Sequence, residues 1–198
     1  MEHLISPNPF FDFPDDEKLK YSPAPGAPLP AGYSRQVNPT AGQNEYLLMF
    51  TPESSFKNVY LDNLSEFREV LQETFYHVTK LGSVVEAILN ECLDLSPNFL
   101  HEYNLDRSWD FMVSLSYSPA TETESNGLSE HQDGNCFTFV FQDDVGGLEV
   151  LKDGGWIPVI PIEGSIIVNI GDAIQSNQSS TYKSAVFWFN FKIAVHKG

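Results

Sequence analysis

From Leu64 onward apolar residues fall at Phe67, Val70, Leu71, Phe75, Val78, Leu81, Val85, Ile88, Leu89 and Cys92. These steps of three and four lay one stripe along a helix. Asn63 followed three residues later by Glu66 fits a capping box, and the helix is expected to stop before Ser96-Pro97. That dipeptide has the character of a cap and first position for a short second helix through Tyr103. Gly82 weakens the interior of the long helix modestly. After Trp109 the period changes from that of a helix to the alternation of a strand. The runs FMVSLSY, CFTFVFQ, GLEVLK, WIPVI and GSIIVNI then read as short strands. Lys152-Asp153-Gly154-Gly155 separates two of them, and its Asp-Gly-Gly supplies the positive φ angles of a tight hairpin.

The first 60 or so residues read differently. Pro, Gly, Ser and Asn dominate, and in SPAPGAPLPAGY the X-Pro restrictions and glycines oppose regular structure. This region is expected to be an extended arm. Its aromatics, Phe10, Phe11, Phe13, Tyr33, Tyr46 and Phe50, are too many for free disorder, so the arm should lie against the body of the protein. The predicted organisation is an arm over residues 1–60, a helical region over 61–108 and a β core over 109–198. The fold class is mainly β with N-terminal helices (α+β), a sandwich or barrel with the long helix outside. No internal repeat or low-complexity tract is present.

Composition narrows the functions available. With 198 residues, 41% apolar and 13% aromatic, the chain fits one globular domain with a real core. Eleven Lys and Arg face 27 Asp and Glu, and the resulting net charge of -16 repels phosphate backbones and anionic lipid surfaces. Neither nucleic acid nor membrane is an expected partner. The N-terminus, MEHLISPNPFFDFPDDEK, has early acids and prolines where a signal peptide needs a basic start and an apolar run. The most apolar stretch, Ala185 to Val195, is about half the roughly 20 residues of a membrane helix and is broken by Asn190 and Lys192; it reads as a buried strand. Two cysteines, Cys92 and Cys136, form neither a disulfide framework nor a zinc pattern, which suits a cytoplasmic location.

The candidate chemistry begins with His131 and Asp133, two residues apart just before CFTFVFQ. On extended backbone both side chains project to one face, so an imidazole nitrogen and a carboxylate oxygen can bind one cation. With a second histidine such a set favours iron(II) and leaves coordination sites open. Taken alone, the same pair is what a surface turn presents.

The stretch from Trp109 to Asp172, and above all SEHQDGNCFTFVFQDDVGGLEVLKDGGWIPVIPIEGSIIVNIGD, closely resembles the core of plant 2-oxoglutarate/Fe(II)-dependent dioxygenases of the isopenicillin-N-synthase-like superfamily. The match holds the His-x-Asp pair, QDDVGGLEV, the Gly-Gly-x-Trp hairpin and the P-x-x-G-x-x-x-V-N-x-G-D strand and turn, in order. Residues 16–108 also look like the family's N-terminal region. The resemblance implies a double-stranded β-helix (jelly roll) with N-terminal helices, iron(II) at the barrel mouth, and 2-oxoglutarate as a cosubstrate that leaves as succinate and carbon dioxide. It implies oxidation of a small organic molecule in plant specialised metabolism, by a monomer. By position His131 and Asp133 match two iron ligands. Tyr117 resembles the tyrosine that hydrogen-bonds the cosubstrate, its alternative being an inward strand aromatic. Phe137 and Phe139 line the pocket or pack the core, Asp172 suits a turn-stabilising carboxylate, and Trp156 is expected in the core.

Two family elements are not intact. Members follow NIGD with a Tyr/Phe-Lys-Ser-Ala-x-His-Arg strand, whose histidine is the third ligand, and then with an Arg-x-Ser that grips 2-oxoglutarate. If Tyr182-Lys183-Ser184-Ala185-Val186 is matched to the first pattern, Phe187 stands in the histidine's place. If YKSAVFWFNF is matched to the second, Ser184 fits the serine, Tyr182 replaces the arginine, and the His-bearing strand is deleted between Gln175 and Thr181. The aromatic run FWFNF favours the second matching, which makes Ser184 a cosubstrate contact and the jelly roll incomplete. Neither matching gives His196 the third ligand's place. The chain also begins late and ends early against the family. Impaired activity is therefore expected, the alternative being a non-catalytic truncated form or binding module. A cupin-like binding domain shares the fold class but not QDDVGGLEV and NIGD.

Overall fold

The computed structural model describes residues 9–27, 31–38, 42–52, 66–117, 128–176 and 186–189. In chain order its elements are α1 (Asp15–Leu19), β1 (Gly32–Asn38), β2 (Gly42–Phe50), α2 (Phe67–Cys92), α3 (Phe99–Tyr103), β3 (Phe111–Tyr117), β4 (Leu128–His131), β5 (Phe137–Val140), β6 (Leu148–Lys152), β7 (Gly155–Pro158), β8 (Ile167–Ile170), α4 (Asp172–Ser176) and β9 (Val186–Phe189). Single 3-10 turns lie at Pro9–Asp12 and Arg107–Trp109. The chain divides into two compact units, one of residues 13–34 and 46–114, the other of 1–12, 35–45 and 115–198.

The first unit is built around α2, and its inward face differs from the expected stripe. Leu71 and Leu89 are buried, but so are Thr74, Gly82, Glu86 and Asn90, whereas Val70, Ile88 and Cys92 are exposed. The side chain of Thr74 is satisfied by the carbonyl of Val70, one turn back. Asn90 binds the segment that follows, donating to the Pro97 carbonyl at 2.8 Å and accepting from the Leu100 amide at 3.2 Å. That pair of bonds fixes the start of α3 under the end of α2. The expected capping box is not seen: α2 starts at Phe67, and Glu66 takes a left-handed φ of 66° with no side-chain cap. A capping box needs an extended approach to the helix, and a left-handed residue turns the chain in sharply instead. Asn63 lies outside the described residues.

The N-terminal arm is more regular than expected. It contributes α1 and two strands, and β1, β2 and β3 hydrogen-bond in that order as one sheet. The turn-rich SPAPGAPLPAGY obscured the alternation around it, in GYSRQVN and GQNEYLLMF, which is what a strand requires. The expectation that its aromatics pack holds for Phe10, Tyr33 and Phe50, all buried.

The second unit carries the strands that follow the helices. An antiparallel sheet runs in the order β4-β9-β6-β7, and β5 and β8 pair antiparallel beside it in the chain. The hairpin β6–β7 closes as expected, with Asp153 at φ 52° and Gly154 at φ 80° forming a two-residue loop under the Lys152–Gly155 pair. The QDDVGG segment is a second built turn. The Asp143 carboxylate accepts from the Val145 and Gly146 amides, and a side chain at Gly146 would meet Pro161 at 2.9 Å. No described helix is long and apolar enough to cross a membrane.

Candidate metal centre

His131 is the last residue of β4, a strand that period-two reading of the sequence did not find. Its register against β9 pairs Leu128 with Phe189 and His131 with Phe187, so three steps on β4 match two on β9. That bulge matters for direction. In a regular strand Leu128 and His131, three apart, would face opposite ways; the inserted residue returns them to one face.

Asp133 follows in the loop after β4, and His131 Nε2 lies 3.5 Å from Asp133 Oδ1, the two side chains being 32% and 18% exposed. The expected pair therefore converges. Two ligand atoms, each about 2.1 Å from a first-row cation, sit about 3.0 to 3.4 Å apart at common coordination angles. The observed separation needs little adjustment, and the donor types suit iron(II). Among the described residues no group of three or more His, Cys, Asp and Glu is placed to hold a metal.

The carboxylate is kept ready for a cation. The hydrogen bond from His131 holds the Asp133 carboxyl below its ordinary range; burial opposes this, and bonds from Thr138 and Asn169 reinforce it. A depressed carboxyl contributes stability above its unfolded value of about 3.9 and loses it as pH falls through the folded value. For metal-free protein, Asp133→Asn is thus expected to be less stable than wild type at neutral pH. In urea unfolding the gap should close below about pH 4.

Thr138 and Asn169 are direct register partners on β5 and β8, so they share the face that meets Asp133. Phe137 and Phe139 alternate with Thr138 and lie on the other face, their ring centroids 6.5 Å apart. Both are half-buried, and the two roles open to them stand. Tyr117 ends β3, and burial pushes its phenol up to about 12. Asp172 acts through its backbone: its amide opens α4 and donates to the Asp133 carbonyl at 2.7 Å. Trp156 is half-buried on β7, opposite Leu151. Ser184 and His196 lie outside the described residues.

Sequence reading missed two contributors, Thr138 and Asn169. Asn169 had a signal, its place in the NIGD motif; Thr138 had none, because its partnership depends on strand register. The register bears equally on the two matchings of YKSAVFWFNF. Phe187 is the Cα partner of His131 on one side and of Val150 on the other. Were a third ligand to join His131, its direct Cα partner on the next strand is the position where it would be sought. The pairing speaks for the matching that puts Phe187 in the third ligand's place, against the one favoured from the aromatic run.

Known proteins similar to this chain are oxygenases. Residues 108–186 match the family model described as the 2OG-Fe(II) oxygenase superfamily. A flavonol synthase/flavanone 3-hydroxylase of Matthiola incana is 31% identical over 184 residues, 89% of this chain and 62% of its own length. Flavanone 3-dioxygenase 2 of Oryza sativa subsp. japonica is 32% identical over 181 residues, 88% of this chain and 53% of its own. The chain thus spans between half and two thirds of the length of these relatives. Among solved structures, JOX2 in complex with 2OG, Fe and JA is 28% identical with a TM-score of 0.75, over 93% of this chain and 57% of that one. A dioxygenase for auxin oxidation in rice, 23% identical, has a TM-score of 0.69 over 94% of this chain and 62% of that one, a likeness of fold. The fold is accordingly a double-stranded β-helix, or jelly roll.

Proposed function

Because the chain belongs to the 2OG-Fe(II) oxygenase superfamily, we propose that His131 and Asp133 hold iron(II) with 2-oxoglutarate beside it, in an oxidoreductase whose turnover on a small organic metabolite is impaired. The observation that carries this reading is the approach of His131 Nε2 to Asp133 Oδ1, with the carboxyl held ionised. When bound, iron(II) and 2-oxoglutarate supply the oxidising power, with oxygen as co-reactant and succinate and carbon dioxide as products.

The chain's own residues bind and orient. His131 offers a neutral nitrogen and Asp133 an anionic oxygen, which offsets part of the cation's charge. Tyr117, whose phenol stays protonated at any working pH, is suited to donate a hydrogen bond to a cosubstrate oxygen. Ser184 would reach the distal carboxylate of 2-oxoglutarate only under the matching that the β4–β9 register disfavours, and it has no role in this proposal. The names of the relatives favour a small organic substrate, and their plant sources favour specialised metabolism. The net charge of -16 disfavours nucleic acid. A cytoplasmic monomer is the matching expectation.

A second reading, a non-catalytic binding module, is favoured by one observation: phenylalanine is the Cα partner of His131, and among the described residues no third ligand joins His131 and Asp133. Succinate release from 2-oxoglutarate under iron(II) and oxygen separates the two. Slow release that vanishes in His131→Ala is expected. Release no faster than in that variant, with iron bound more weakly than micromolar, gives the second reading the field.

A further inference from the structure

His131 ends a paired strand, and Asp133 lies in the loop beyond it, outside the described strands. What fixes that loop is the turn after β8. The amides of Gly171, Asp172 and Ala173 donate to the carbonyls of Cys136, Asp133 and Asn135 at 2.9, 2.7 and 3.3 Å. Two of those amides open α4, so first-turn donors that a helix leaves without partners hold the loop instead. The fit leaves no room for a side chain. A Cβ at Gly171 would stand 2.0 Å from the Asn135 carbonyl oxygen and 2.8 Å from that of Asp133, both backbone atoms that cannot swing aside. Two residues earlier Asn169, 4% exposed, reaches the Asp133 carboxylate with its side-chain amide.

We infer that the Asn169–Gly171 segment is a positioning device for the metal-binding carboxylate, Gly171 setting the loop's height and Asn169 setting the rotation of the Asp133 side chain. The inference rests on the reading of His131 and Asp133 as a cation site. Asn169 acts through its hydrogen bond to Asp133. A carboxylate oxygen occupied by an amide donor leaves the other oxygen and one orientation for a cation. This makes Asn169 and Gly171 the residues on which the site depends most, since among the described residues no third ligand corrects a misplaced carboxylate.

Cobalt(II), insensitive to oxygen and readable by its visible absorption, is the probe for titration of the full chain. Variants are His131→Ala, Asn169→Leu, which keeps the volume and removes the donor, Asn169→Gln, which keeps an amide, and Gly171→Ala. Wild type is expected to bind in a His131-dependent way. Asn169→Leu should weaken binding about tenfold or more and shift the absorption band, Asn169→Gln should recover part of the loss, and Gly171→Ala should follow the leucine variant. Thermal unfolding of the metal-free proteins separates a merely structural role, which lowers Tm without moving the affinity or the band. Should wild type bind through His131 while Asn169→Leu binds equally well with the same spectrum, the positioning role is overturned and the cation site stands. Should wild type and His131→Ala bind alike, the cation site itself fails and the inference with it.

Discussion

A histidine introduced at position 187 is expected to tighten iron(II) binding by at least about tenfold, since even partners that only orient a ligand are worth about 10- to 100-fold in metal affinity. The argument is one of register. β9 lies between β4 and β6, and Phe187 is the direct partner of His131. Directly opposed residues on an antiparallel pair have Cβ atoms about 4.5 to 5.5 Å apart and present side chains to one face. The bulge between Leu128 and His131 already aims His131 to that face. Phe187→His would thus convert two ligands into the two-histidine, one-carboxylate set that suits iron(II). Affinity for 2-oxoglutarate should rise far less. No arginine follows Arg107 in the sequence, so the charge-assisted bonds an arginine would supply, each worth about 1.5 to 3 kcal/mol, stay missing. Anaerobic iron titration with and without 2-oxoglutarate reads both quantities. An unchanged iron affinity would return the third ligand's place to a deleted strand and make the matching through Ser184 the better one.

Much of this site was legible before any coordinates. The five strands read from alternation after Trp109 are all found, the Asp-Gly turn takes the positive φ values its residues allow, and His131 and Asp133 meet. These are local features, set by period two and by the conformations open to Asp and Gly. What escaped depended on partners distant in sequence. β4 is four residues with no alternation of its own, held by pairing to β9, whose partner residues lie 56 and 61 positions on. Thr138 and Asn169 serve Asp133 only because β5 and β8 pair in one register. The choice between the two matchings of YKSAVFWFNF likewise turns on which strand lies beside His131, and composition does not encode that: aromatic runs look alike wherever they stand. On α2 a periodic stripe predicted an apolar face, and the buried Glu86 within it carried no signal, because its partners lie 15 to 21 residues further along the chain.

That buried carboxylate supports the largest stability effect to be expected in the helical unit. Glu86 is 1% exposed, and its Oε1 accepts from Arg107 at 2.6 Å and from the Asn104 side chain at 3.0 Å. His101 Nδ1 approaches Oε2 at 3.5 Å, and Asp110 lies 3.9 Å from the same guanidinium. One residue on α2 thereby gathers the end of α3 and the turn before β3. Glu86→Ala removes the acceptor, opens a cavity and takes from the partly enclosed Arg107 its nearest carboxylate. Breaking one side of a buried pair costs about 3 to 5 kcal/mol. Arg107 keeps 30% of its side-chain surface in water, so a loss near the lower end, about 3 kcal/mol, is expected in urea unfolding. Glu86→Gln tells charge from shape. It keeps one acceptor for Arg107 and fills the space, and should recover part of the loss, with His101 unable to pair with it. A loss below about 1 kcal/mol in the alanine variant would mean that the pair behaves as an exposed one does, its attraction cancelled by solvent and side-chain freedom.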